Sequence, residues 1–359
     1  MKKIDRPETP DIGIYTEEKF ELEEDVRQGL LQLIDPQSVA FKDFIPRLKD
    51  KDRLYTKAER ETLRAIYFYS DPANFENDEK KTKESGPSFS VYKDDELKEK
   101  LEVLFNSKCA YCESKFSATS NADIEHFRPK KAFNAFRDNK DEKLKAPGYY
   151  WLAADWNNLL WSCSLCNRRN NLDEPNEVGK KPLGKKNRFP LSAESQRVRS
   201  HNDDLTQEND LLLILDPCSD DPQEHLEFPM IDQSDLGIVR AKLQVDGKPS
   251  PKGNASIPLY GLNRVNLVAA RLEEATRLRG VLLLLLLPLQ DIVKKKEAGE
   301  DTTAEELTFN LQKEVIKGML KDMLADSAEY LSMKDDLIKE FEERPDVAPL
   351  GLKVRDLLE

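Results

Sequence analysis

Two cysteine doublets constrain this chain more than any other feature. Cys109-Ala-Tyr-Cys112 and Cys163-Ser-Leu-Cys166 stand about fifty residues apart. Each Cys-x-x-Cys forms a turn that aims two thiolates at one point, and four thiolates suit tetrahedral zinc. Whatever lies between the doublets must therefore bring the second turn back onto the first. Zinc held by four sulfurs has no open position, so a metal at Cys109, Cys112, Cys163 and Cys166 is structural. It would staple a region whose own core is thin. Cys218 has no partner motif and reads as a packed side chain.

Five cysteines in a long chain that opens Met1-Lys2-Lys3-Ile4-Asp5-Arg6-Pro7 do not suggest a secreted disulfide framework, and the expected location is cytoplasmic. The formal charge of −12 argues against a protein that coats nucleic acid by bulk attraction. The distribution is uneven. Residues 126–200 carry sixteen Lys/Arg against eight Asp/Glu, an excess of +8 that leaves about −20 on the rest. A basic segment inside an acidic protein is the electrostatic footprint of a local polyanion site. Scattered lysines on a solvated loop would look the same.

Helices are expected over 16–34, with a stop at Asp35-Pro36, and over 56–69, opened by Thr56-Lys57-Ala58-Glu59 as a capping box. A third covers 94–105, where Leu97, Leu101, Leu104 and Phe105 form a stripe leading into Cys109. Residues 71–87 and 130–147 read as loop and insertion. A short helix is expected over 167–171. Strands are expected over 211–215, 226–231 and 238–245, with turns at Asp235-Leu236-Gly237 and Asp246-Gly247. Helices follow over 263–287 and 304–341. The apolar run 281–287, stopped by Pro288, is far shorter than the roughly 20 residues of a membrane span and reads as a buried helix segment.

Between the doublets lies Asp123-Ile124-Glu125-His126-Phe127-Arg128-Pro129. A strand over 122–127 would end at His126, with Pro129 fixing the turn. A neutral imidazole can take a proton from water. A divalent cation on a carboxylate and an amide oxygen can take charge on a leaving oxygen. Glu125 and Asn167 are the natural ligands, with Asp123 in reserve, and hard oxygen donors favour magnesium, or manganese in its place. His201 and His225 read as packing or surface residues.

The order Cys-x-x-Cys, Glu-His-x-x-Pro, Asn-Leu, Cys-x-x-Cys-Asn resembles the HNH endonuclease signature. The resemblance implies an α+β fold: a zinc-stapled ββα-metal nuclease core with mainly helical N- and C-terminal extensions. It casts His126 as general base, Asn158 as the residue that orients the histidine loop, and Glu125 and Asn167 as catalytic metal ligands. Glu125 stands where Asp is more usual. Arg128, Lys130, Lys131, Arg168 and Arg169 would contact nucleic acid, the last two from the short helix.

Further phrases, Tyr150-Trp151-Leu152-Ala153, Leu213-Ile214-Leu215-Asp216-Pro217-Cys218 and Tyr260-Gly261-Leu262-Asn263-Arg264, are similar to those of HNH proteins of the PtuB type from Septu and retron antiphage systems. The resemblance covers roughly residues 95–280. It implies a DNA-cleaving effector that works beside an ABC-type ATPase of the PtuA type. The chain then divides into an N-terminal region 1–94, a nuclease core 95–200 and a C-terminal region 201–359. A stand-alone restriction enzyme for modified DNA and a zinc-stabilised interaction protein without activity remain open as alternatives.

Overall fold

The computed structural model describes residues 1–16, 55–75, 87–137, 140–175, 177–229 and 237–358. The helix expected over 16–34, with its stop at Asp35-Pro36, lies outside these residues, apart from Thr16. Helix α1, Lys57–Tyr69, begins as its capping box requires. The Thr56 hydroxyl accepts from Glu59 N at 3.1 Å and the Glu59 carboxylate accepts from Thr56 N at 2.7 Å. Helix α2, Asp95–Leu104, is capped by Asp94 and buries Leu97 and Leu101.

Next come β1 (Asp123–His126), β2 (Phe136–Arg137), β3 (Lys140–Asp141) and β4 (Leu159–Ser162). Strand β1 pairs antiparallel with β4, placing Glu125 opposite Leu160 and His126 opposite Leu159. All four residues of β4 are buried, the apolar Leu159-Leu160-Trp161 together with Ser162. Strands β2 and β3 form a hairpin within the segment expected to be irregular. Helix α3, Ser164–Asn167, follows β4 directly, and Asn167 N donates to Cys163 O at 3.0 Å.

The helix expected over 167–171 therefore lies a few residues too late. Arg168 is already extended, and Asn170–Leu172 is strand β5, paired with β6, Lys181–Leu183. Strands β7 (Leu226–Glu227) and β8 (Arg240–Ala241) form a last small sheet, shorter than the runs expected there. The turn at Asp235-Leu236-Gly237 lies outside the described residues except for Gly237, whereas Gly247 sits in its turn at φ +76°. Residues 211–215 are no strand: a 3₁₀ segment, Leu205–Leu211, leads into a single bridge from Leu212 to Leu191. Mixed helix and small two-stranded sheets thus bear out the expected α+β class.

Helix α4, Pro251–Tyr260, precedes α5, Val265–Glu297, which runs straight through Pro288. Proline removes one backbone hydrogen bond and crowds the carbonyl four residues back. That carbonyl belongs to Leu284, a residue on the solvent side of the helix, where water can accept the loss. The leucine run is accordingly two-faced: Leu282, Leu285 and Leu286 are buried, whereas Leu283, Leu284 and Leu287 are exposed.

The single helix expected over 304–341 is two, α6 (Thr303–Leu324) and α7 (Leu331–Glu343). Between them the Lys108 ammonium donates to Asp326 O at 2.5 Å and Ala328 O at 2.8 Å, and Tyr330 adopts a left-handed backbone at φ +56°. One hydrophobic cluster joins α2, both cysteine turns, β4, α4, α5, α6 and α7. A smaller one packs α1 against Tyr150 and Ala153.

Candidate functional site

The Cys109, Cys112, Cys163 and Cys166 side chains are buried, with their sulfurs all within 4.8 Å of one another. Zn–S bonds of about 2.3 Å in a tetrahedron place sulfurs about 3.8 Å apart. Cys112 Sγ and Cys163 Sγ stand at 3.9 Å. The cluster can hold a zinc ion. Ala110 N donates to Trp161 O at 2.9 Å, so the first cysteine turn docks on the edge of β4, two residues before the second.

Zinc with four thiolates carries a net charge of −2, which is costly to bury alone. Arg264 meets it. Its guanidinium lies 3.4 Å from Cys166 Sγ, 3.4 Å from Cys112 Sγ and 4.0 Å from Cys163 Sγ. The neighbouring thiols hold Arg264 above its ordinary range despite burial. The rest of the phrase around it supports this placement. Tyr260 stacks on Tyr111 between the first two cysteines, with ring centroids 3.9 Å apart. Cys218 is partly buried and accepts from Arg6 at 3.3 Å, away from the cluster.

Beside the zinc framework lies a cleft of about 810 Å³ lined by Glu125, His126, Lys130, Lys131, Asn167, Arg168 and Arg169, among others. Strand β1 lines the cleft from Asp123 to His126, with side chains alternating in direction along it. His126 Nε2 lies 3.0 Å from Ala153 O. A carbonyl only accepts, so Nε2 carries the proton and Nδ1 carries the lone pair. The Lys130 ammonium donates to Nδ1 at 3.1 Å, and the Tyr92 ring packs edge-on against the imidazole. Burial first, then Lys130, holds His126 well below its ordinary pKa, so the ring is neutral. Burial likewise lowers Lys130 to about 8.

Asn158 stands behind this loop. Its Oδ1 accepts from Arg128 N at 2.7 Å, and its Nδ2 donates to Arg128 O at 3.1 Å and to Leu152 O at 3.0 Å. The amide thus clamps both sides of one residue just after His126. Glu125 is almost fully buried, and its Oε1 accepts from Lys185 Nζ at 2.5 Å. Burial pushes Glu125 up and Lys185 down, each opposed by the charge of the other.

The cationic residues divide. Lys130, Lys131, Arg168 and Arg169 line the cleft. Arg168 reaches it from extended backbone and pairs through two nitrogens with Asp123, at 2.6 and 2.8 Å, which also engages the reserve ligand. Arg128 does not reach it. Its side chain is buried, ion-paired to the buried Glu208 and packed against the Tyr149 and Phe189 rings. The expectation that Arg128 contacts nucleic acid does not fit this placement: Glu208 holds its side chain in the core. His201 accepts from or donates to the Tyr150 hydroxyl at 3.1 Å, and His225 bonds Ser250 Oγ at 2.7 Å, both away from the cleft.

Lys185 and Arg264 are the residues that sequence reasoning did not single out. Lys185 hides in a run of cations, and Arg264 stands 98 to 152 residues beyond the cysteines it meets.

This chain resembles Septu protein PtuB. The match, to the protein of Bacillus mycoides (strain KBAB4), is 42% identical over 194 residues. It covers 54% of this chain and 56% of PtuB, so the chain spans about half the length of the curated relative it matches. The PtuB-type resemblance read from the sequence phrases is therefore found by direct comparison. No family model matches the chain, and no solved structure does. No helix among the described residues is long and apolar enough to cross a membrane.

Proposed function

We propose that this protein is a metal-dependent HNH-type endonuclease, the DNA-cleaving effector of an antiphage defence complex with a partner ATPase. The observation that carries the reading is the convergence of Glu125, His126 and Asn167, from β1 and α3, on one cation-rich cleft. Two antiparallel strands followed by a short helix on a four-cysteine staple support it. So does the likeness to Septu protein PtuB.

The donor set fits a hard divalent cation. Glu125 and Asn167 offer a carboxylate and an amide oxygen, and Oε1 alone of the carboxylate carries the ion pair with Lys185. A bound magnesium or manganese ion would supply the positive charge that stabilises the departing 3′ oxygen. The chain's own residues do the rest. Once Lys130 gives up its hydrogen bond to the ring, His126 Nδ1 takes a proton from water, with the Ala153 carbonyl holding the ring in the reactive tautomer. Asn158 holds the loop that aims the ring. Lys131, Arg168 and Arg169 hold the phosphate backbone without reading sequence. In a chain of net charge −12 this local patch gives modest affinity for DNA, which a delivering partner would supplement.

The test is nicking of supercoiled plasmid with magnesium by the chain or its native complex. His126→Ala should slow cleavage by about 10²–10⁴-fold, the usual contribution of a general base. Cleavage at the full rate in that variant would sink the assignment.

A further inference from the structure

Lys185 is fully buried, and its ammonium donates to Glu125 Oε1 at 2.5 Å and to His126 O at 3.0 Å. The segment that delivers it is fastened to the other candidate ligand. Lys185 N donates to Cys166 O at 2.8 Å and Lys186 N to Asn167 O at 2.6 Å. This approach depends on Gly184, at φ +100°, where a Cβ would lie 1.9 Å from Arg168 O. One short segment therefore bonds the backbone of Asn167 and also neutralises the Glu125 side chain.

The electrostatic consequence concerns the cation. Glu125 with Lys185 has no net charge, and Asn167 has none of its own. Asp123 in the same cleft is paired with Arg168, and Lys130, Lys131 and Lys186 add positive charge around it. A divalent cation entering alone meets a neutral donor pair inside a positive field, which disfavours binding. A phosphodiester brings the missing negative charge and further oxygen ligands.

We propose that Lys185 is a positioning residue that makes cation capture at Glu125 and Asn167 depend on a bound nucleic-acid phosphate. The proposal rests on the reading of Glu125 and Asn167 as cation ligands. By pairing with Oε1 it leaves Oε2 as the single carboxylate donor, and by cancelling the carboxylate charge it couples the two binding events. Linkage is reciprocal: the cation must strengthen DNA binding by the same factor.

The experiment measures Mn²⁺ binding to the full zinc-loaded chain by the electron paramagnetic resonance of free Mn²⁺, with and without a phosphorothioate DNA duplex. The duplex should tighten Mn²⁺ binding by about ten-fold or more. Equal affinity with and without the duplex overturns the proposal, and this arm needs no variant. In Lys185→Met and Lys185→Gln, checked for zinc content, the duplex effect should shrink to under about three-fold. A duplex effect of wild-type size in both overturns it as well. In Glu125→Gln, Mn²⁺ binding in the presence of duplex should weaken. If it does not, Glu125 is no ligand and the underlying reading fails, an outcome distinct from a silent Lys185.

Discussion

At the scale of single residues, the chemistry depends on side chains whose partners are far away in sequence. Arg264 meets three sulfurs of the four-cysteine cluster from more than ninety residues beyond Cys166. Partners that orient and neutralise metal ligands commonly shift affinity by about 10–100-fold. Arg264→Ala should therefore release zinc to a chromogenic chelator about ten-fold faster or more, with secondary structure retained by circular dichroism. Release at the wild-type rate would reduce Arg264 to a packing role. The four clustered cysteines were legible because their residue type and spacing declare them. Lys185 was not, because a lysine in a basic run looks like surface until the fold buries it against a carboxylate. Arg128 failed in the opposite direction: its sequence position beside His126 suggested the cleft, but Glu208, eighty residues on, holds it inside.

At the scale of elements, local signals held where they were self-contained. The Thr56 capping box starts α1 as read, since both hydrogen bonds lie within four residues. Residues 167–171 were misplaced because the helix starts at the second cysteine turn, whose backbone Cys163 O already accepts from Cys166 N and Asn167 N. The long C-terminal helix breaks where Lys108 captures carbonyls of the connecting segment, a contact no local pattern announces. Gly184 and Gly247 separate two kinds of glycine demand. Both have positive φ, but only Gly184 has backbone within reach of a Cβ. Gly247→Ala should cost about 1 kcal/mol from backbone strain alone. Gly184→Ala should cost at least about 2 kcal/mol more, through the collision with Arg168 O. Urea denaturation of both variants measures the difference, and equal losses would show that β6 can shift away without penalty.

At the scale of the whole molecule, the cluster that joins both cysteine turns to α5, α6 and α7 makes zinc, histidine loop and C-terminal helices one energetic unit. Its stability should depend on pH. His126, His201 and His225 all sit below their ordinary pKa because burial disfavours the imidazolium. Below about pH 6.5 the unfolded chain binds protons that the folded chain refuses, so stability falls as the pH falls. The buried His126 contributes a slope of up to about 1.4 kcal/mol per pH unit until its folded pKa is reached, and the more exposed His201 and His225 contribute less. His126→Asn should flatten the dependence of the urea midpoint between about pH 6.5 and 5, measured with zinc bound. An unchanged slope would mean that the ring takes its proton in the folded state.

The sequence by itself determined the four-cysteine cluster, the strand that ends at His126 and the capped start of α1, because each is written in residue types at short spacing. Only the tertiary structure decided which cations face the cleft, what neutralises Glu125 and what covers the zinc. Those outcomes depend on burial and on charges brought together across the chain. No local pattern encodes the free energy of taking Lys185, Arg128 or Arg264 out of water, because it is set by partners that only the completed fold supplies.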